Sequence, residues 1–313
     1  MIRNRKGLSP RRKDAKINLK FYLCGLCAFA RKIFCTKCIK FTFKTIEVCS
    51  RRMKMNKSVK ISAVVITLNE EKNIGRCLDS VRRVADEIVV VDSYSTDQTR
   101  DICSDRGVRF VQHAFEGHIE QKNYAVSRAA HDRVLSLDAD EALSAELVQS
   151  ILAVKQNWRY DGYSFNRLTN YCGKWIRHSG WYPDTKVRLW DRRKGQWGGI
   201  NPHDRVIMDG GSRVTHIDGD LYHYSYRTIR NHIDTINNFS EIAARAAYAD
   251  GRRSNLVLDI VLNPLFTFIK KYILKLGFLD GYPGFMIAVH TAYGKFLKYI
   301  KLRELNKKSG NRV

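Results

Sequence analysis

The sequence predicts an α/β protein with a nucleotide-binding domain on a mainly parallel twisted sheet, followed by C-terminal helices. Three observations predict it. Short continuous runs of β-branched residues recur, stretches with apolar side chains at helical spacing separate them, and each run closes in polar or acidic residues. Runs that are apolar at every position suit strands buried on both faces, and alternation with helices makes successive strands parallel.

Taken in order, Ile61-Ser-Ala-Val-Val-Ile-Thr67 is the first expected strand. Residues 71–84 space Ile74, Leu78 and Val81 as a helix, and Glu87-Ile-Val-Val-Val-Asp92 follows as the second strand, completing a β-α-β unit. A helix over 97–106, a strand over 108–112, a helix over 119–130 and the strand Arg133-Val-Leu-Ser-Leu-Asp138 continue the pattern. Residues 226–250, 256–276 and 285–302 read as helices, the last two mixing Phe, Tyr and Lys. The expected organisation is a basic, cysteine-containing extension over 1–58, a catalytic domain over 59–226, and a helical membrane-associating region over 227–313.

A chain of 313 residues, 44% hydrophobic, buries a substantial core. Its net charge of +24 is unevenly spread: residues 1–60 hold 18 Lys/Arg against 2 Asp/Glu, residues 61–251 hold 25 against 26, and residues 252–313 hold 12 against 3. A nucleic-acid reader carries its cations on the folded face, whereas here the excess lies in the flanks, so a membrane surface is the expected partner and nucleic acid is not. No apolar run reaches the ~18 residues of a spanning helix. Of eight cysteines only Cys77, Cys103 and Cys172 fall in the folded part, which suits a reducing cytoplasm. The expected location is the inner face of the cytoplasmic membrane, peripherally bound. Cys24-Gly-Leu-Cys27 and Cys35-Thr-Lys-Cys38 have the form of zinc knuckles, but apolar residues fill the turns; a disordered tail, or sequence upstream of a start at Met53 or Met55, is the plainer reading.

In open α/β sheets ligands bind beyond the carboxyl ends of the strands. Here those ends are Thr67-Leu-Asn69-Glu70, Asp92-Ser-Tyr-Ser-Thr-Asp97 and Asp138-Ala-Asp140-Glu141. Asp138 and Asp140, two positions apart at a turn, offer hard oxygen ligands to Mg²⁺ or Mn²⁺, which would neutralise a leaving diphosphate. A polar turn with Ser144 as helix cap is the competing reading. Neither a Gly-x-Gly-x-x-Gly fingerprint nor a phosphate loop is present.

These three segments, in this order and spacing, resemble the signature segments of family 2 glycosyltransferases with the GT-A fold. The resemblance implies that the aspartate at Asp92 contacts the nucleobase, that Thr67 and Glu70 line the nucleoside pocket with Asn69, Ser93 and Asp97 of the same segments, and that Asp138 and Asp140 hold metal and diphosphate. It continues through Gly173-Lys-Trp-Ile-Arg177, Trp181-Tyr-Pro-Asp184, Arg188-Leu-Trp190, His203-Asp204, His223-Tyr-Ser-Tyr226 and Gly277-Phe-Leu-Asp-Gly281, like the branch containing lipopolysaccharide core glucosyltransferases. That branch usually has His-Glu where this chain has His203-Asp204. The implied activity is inverting transfer of a hexose, glucose from a UDP-sugar, to a lipid-linked saccharide.

Inverting transfer needs a carboxylate to take the acceptor hydroxyl proton, and Asp204 and then Asp184 are the candidates. His203 is a candidate further metal or phosphate contact. Among Trp175, Trp181, Tyr182 and Trp190, Trp181 is expected to face the acceptor, with Arg188 on the same side. Lys122 aligns with a donor-facing stretch, a solvated helix face being the duller alternative. A nucleotidyltransferase is the first rival, but a Gly- and Arg-rich triphosphate loop is lacking; a basic nucleic-acid or zinc module is the second.

Overall fold

The computed structural model describes residues 58–200 and 203–310. The extension with Cys24, Cys27, Cys35 and Cys38, and with it the zinc and disorder expectations, lies outside the described residues.

The chain opens as expected: β1 (Ile61–Thr67), α1 (Ile74–Val81), β2 (Glu87–Asp92), α2 (Thr99–Asp105), β3 (Arg109–Gln112), α3 (His118–Ser127) and β4 (Arg133–Asp138). β5 (Glu141–Leu143) and α4 (Ala145–Gln156) follow. Ser144 does cap α4, accepting from the Leu147 N–H at 3.1 Å. A run of strands comes next: β6 (Gly162–Tyr171), β7 (Lys174–Trp175), β8 (Thr185–Asp191), β9 (Gly195–Ile200), β10 (His203–Met208) and β11 (Val214–Tyr226).

Among the described residues, nine strands form one sheet in the order β3-β2-β1-β4-β8-β6-β11-β5, with β7 on β6. The first four pair parallel; β8 enters antiparallel between β4 and β6, β11 runs parallel to β6, and β5 closes the edge antiparallel. The sheet is therefore mixed. β9 and β10 form a separate antiparallel pair.

β1 shows why the continuous apolar runs matter. Ala63 and Val65 point to a core built with Ile74, Leu78 and Val81 of α1 and Leu147 and Ile151 of α4. Val64 points the other way, into a second core with Ala125 of α3, Trp190 of β8 and Trp197 of β9. β11 approaches α4 so closely that a Cβ at Gly219, where φ is +100°, would collide with the Leu147 backbone nitrogen.

The C-terminal region is α5 (Ile229–Ala249), a π-helical turn over Leu256–Leu262, α6 (Asn263–Ile269), a second π-helical turn over Lys270–Leu274, a 3₁₀ turn over Gly277–Asp280 and α7 (Tyr282–Gly310). α5 and α7 share a small core of Ala244, Ala247, Tyr299 and Leu302, which Ile260 completes. Asp280 ties the 3₁₀ turn to the sheet domain by accepting from the His178 N–H at 2.9 Å.

Candidate functional site

The parallel register places Thr67, Asp92 and Asp138 at neighbouring strand ends: Thr67 pairs with Asp92, and Ile66 with Asp138. The loops beyond β1 and β2 are laced together by their own side chains. Asn69, at a positive φ of 53°, accepts from the Thr96 N–H at 2.8 Å. Asp97 spends one oxygen on the Thr99 N–H and the other on the Glu71 N–H, both at 3.0 Å. Asp92, buried, accepts from the Ser95 N–H at 2.9 Å. Ser93 accepts from Gln121 at 2.9 Å. Asn69, Asp97 and Asp92 thus shape a rigid rim. Among the described residues the Thr67 hydroxyl, at the end of β1, is buried without a hydrogen-bond partner. Glu70 accepts from Asn73 at 2.7 Å, and burial lifts its carboxyl above the ordinary value.

The acidic turn after β4 is held by cations from distant elements. Lys122 of α3 is 3% exposed, so the solvated-face reading fails. Its Nζ lies 3.0 Å from Asp138 and 2.7 Å from Asp204 of β10, over the Trp197 ring at 4.4 Å. Arg188 of β8, also 3% exposed, contacts Asp138 at 3.3 Å and Glu141 at 2.9 Å, so it stands with the acidic turn and not among the aromatic rings around Trp181. Its Nε and Nη1 are buried and, among the described residues, have no hydrogen-bond partner. Glu141, which sequence reasoning quoted only as part of the motif, is the hub: it accepts from the Asp138 N–H at 3.0 Å and from Arg188. Burial pushes the Asp138 carboxyl up, but the Lys122 ammonium and then the Arg188 guanidinium outweigh it and hold the group well below the carboxylate range.

Asp140 faces a different partner. β5 pairs with β11 so that Glu141 lies opposite His223, and His223 Nε2 comes to 3.2 Å from Asp140 Oδ2. The other ring nitrogen lies 3.4 Å from the Thr169 hydroxyl, which fixes the ring. Among the described residues no cluster of three His, Cys, Asp or Glu forms a complete cage. An oxygen–nitrogen pair nevertheless fits Mn²⁺ or Mg²⁺, which take few protein ligands and complete their shell with phosphate oxygens and water. His223 is not among the candidate metal contacts read from the sequence, where His203 is; the side chain of His203 lies outside the described residues. Asp138, engaged by two cations, is the less available carboxylate of the pair.

An opening of about 300 Å³ begins at His223 and is lined also by Arg167, Trp181, Asp184 and Tyr226 among others. Trp181 packs edge-on against Tyr171 at 5.9 Å. Asp184 is paired with Arg167 at 2.8 Å and Lys186 at 3.0 Å; burial raises its carboxyl, and Arg167 followed by Lys186 brings it below the ordinary value. Asp204 therefore stands next to Asp138 across the Lys122 ammonium, whereas Asp184 shares a pocket with His223, and each carboxylate has a cationic neighbour. The arrangement can bind a diphosphate over the strand ends and present a hydroxyl to it from the Trp181 side.

The profile described as Glycosyl transferase family 2 matches residues 62–213. An uncharacterized glycosyltransferase of Rickettsia typhi is 33% identical over 264 residues, 80% of this chain and 89% of that protein. The lipopolysaccharide core biosynthesis glycosyltransferase LpsC of Rhizobium meliloti is 28% identical over 256 residues, 77% of this chain and 91% of its own. Among solved structures, S. aureus TarS in complex with UDP-GlcNAc aligns over 80% of this chain and 92% of that chain, at 16% identity and a TM-score of 0.41.

Proposed function

The chain belongs to glycosyl transferase family 2, and on that premise we propose that it is an inverting hexosyltransferase carrying glucose from a UDP-sugar to a lipid-linked saccharide, such as a lipopolysaccharide core, at a membrane surface. The observation that carries the reading is the pair of acidic arrangements side by side: Asp138 neutralised by Lys122 and Arg188, and Asp140 set against His223. The similarity to LpsC, a lipopolysaccharide core biosynthesis glycosyltransferase, supports the acceptor class.

The nucleoside lies on the rim from Thr67 to Asp97, with the orphaned Thr67 hydroxyl as a ready partner. Asp140 and His223 are the residues that would hold Mn²⁺ or Mg²⁺, and a bound ion would supply positive charge to the departing diphosphate. Lys122 and the unpartnered N–H groups of Arg188 add fixed positive charge in a partly desolvated cleft, where it favours the charge that develops on the leaving oxygen. The acceptor oxygen attacks the anomeric carbon as the bond from that carbon to the diphosphate oxygen breaks. Its proton passes to Asp204, and UDP carries away the electron pair. Asp184 orients the acceptor from the Trp181 side and is the alternative base.

The membrane part of the reading rests on the C-terminal elements. Leu258, Phe266 and Leu274 are 62%, 58% and 63% exposed, beside Lys270, Lys271 and Lys275. Burial, then the charges of Lys270 and Lys275, push the Lys271 ammonium below its ordinary value, a crowding that an anionic surface relieves. No helix among the described residues is long and apolar enough to cross a membrane.

Calorimetry with UDP tests the donor half directly. Binding should require Mn²⁺ or Mg²⁺, vanish with chelator, and fall at least tenfold in Asp140→Asn and in His223→Ala. Folded protein that binds no UDP under any condition would overturn the UDP-sugar assignment.

A further inference from the structure

Another opening, of about 400 Å³, shares Tyr226 with the Asp184 pocket and has no part in the chemistry above. Lys72 and Arg76 of the α1 segment and Arg227 after β11 line it, together with Tyr224 and Asn170. Among the described residues none of these three cations stands within ion-pair distance of a carboxylate, although the Arg227 charge reaches Glu70 and offsets part of the rise that burial gives its carboxyl. Arg227 donates to Asn73 at 2.7 Å, and Arg76 lies over the Tyr224 ring at 3.7 Å. This contrasts with the neighbouring cleft, where Lys122, Arg167, Lys186 and Arg188 are each matched to a carboxylate. Three like charges gathered around one concavity repel one another, a cost that an anion removes.

The position is informative as well as the charge. The Tyr224 N–H donates to the Asp140 carbonyl at 2.9 Å, so the pocket begins one residue from the proposed metal pair. Tyr226 lines both this pocket and the Asp184 pocket, which makes the two openings neighbours along one face. The volume suits a single sugar unit, and the stacked Arg76–Tyr224 pair gives a planar floor.

We propose that this pocket binds an anionic sugar unit of the acceptor, one bearing a phosphate or a carboxylate, beside the residue that receives the hexose. The inference rests on the transferase reading and specifies its acceptor: the saccharide is charged, and the enzyme grips that charge through Lys72, Arg76 and Arg227. Arg76 supplies the planar fork and Lys72 a mobile point charge.

The test uses the full chain saturated with UDP and Mn²⁺, with glucose 6-phosphate and glucose as probes, followed by calorimetry or ligand-observed NMR. Glucose 6-phosphate should bind at least tenfold more tightly than glucose. In the Lys72→Gln/Arg76→Gln double variant that preference should disappear while UDP affinity stays within twofold of the parent. Equal binding of the two probes, or a preference that survives the double substitution, would overturn the proposal. Loss of UDP affinity in the variant would overturn it too, by making the pocket part of the donor site. UDP binding read in the same samples separates failure of this inference from failure of the transferase reading.

Discussion

Lys122 and Asp204 stand 82 residues apart in the chain, yet their charged atoms meet at 2.7 Å, and the same ammonium touches Asp138 at 3.0 Å. One buried cation thus joins the end of β4 to the start of β10. Replacing it with methionine keeps most of the side-chain volume and removes the charge. We expect kcat/KM to fall by about 10²-fold, the scale for losing one preorganised electrostatic contact. The loss of the foremost lowering influence on Asp138 lets burial raise its carboxyl against the Arg188 guanidinium that remains, so the acid limb of the pH–rate profile should move to higher pH. A variant with parental rate and profile would remove Lys122 from the mechanism.

The two candidate bases separate by kinetics. Asp204→Asn keeps the shape and the contact with Lys122 but cannot take a proton, so kcat should drop by about 10²- to 10⁴-fold with UDP affinity little changed. Asp184→Asn loosens the Arg167 and Lys186 contacts and should raise the acceptor KM more than it lowers kcat. The reverse pattern would exchange their roles.

How far the site is legible in the sequence follows from which contacts are local. β1, β2 and β4 have the bounds their continuous β-branched runs predict, because a strand buried on both faces leaves a local signal. β6 and β11 carry no such signal: Gly-Tyr-Ser-Phe-Asn-Arg-Leu-Thr-Asn-Tyr mixes polar and apolar residues because it lines the cleft. The β5–β11 pairing that brings His223 to Asp140 joins residues some eighty positions apart, and no periodicity encodes it. Burial of Lys122 was equally illegible, since Glu-Gln-Lys-Asn on a helix looks like a surface stretch until β9 and β10 cover it. The acidic strand ends were legible because the topology of a parallel sheet delivers them to one edge whatever follows.

Membrane association can be measured apart from catalysis. With Leu258, Phe266 and Leu274 exposed beside Lys270, Lys271 and Lys275, the protein should float with vesicles containing phosphatidylglycerol and stay behind with pure phosphatidylcholine. Lys270→Glu/Lys275→Glu should cut binding by about tenfold or more, at ~1 kcal/mol for each charge near the surface, and added salt should weaken the parent. Equal flotation on both lipids would leave the apolar face without its electrostatic partner and refute this mode of attachment.

A buried cluster behind the acceptor pocket makes the last prediction. His232 of α5 lies 3.0 Å from the Tyr171 hydroxyl of β6 and 2.9 Å from His290 of α7, so three elements meet on groups that tolerate no added charge. Burial, then the neighbouring His290, lowers the His232 imidazole to about 4, and burial lowers His290 as well. Between that value and about 6.5 the unfolded chain takes up a proton that the folded chain refuses. The cluster's contribution is therefore complete above pH 6.5 and declines as the pH falls towards 4. Parental Tm should drop between pH 7.5 and pH 5, whereas His232→Gln, which keeps a hydrogen bond to Tyr171 without titrating, should lose less over the same interval. Because Tyr171 also packs against Trp181 and Tyr226, the parent's acceptor KM should rise over that interval while UDP affinity holds. Parallel declines in Tm for parent and variant would show that other groups set the acid sensitivity.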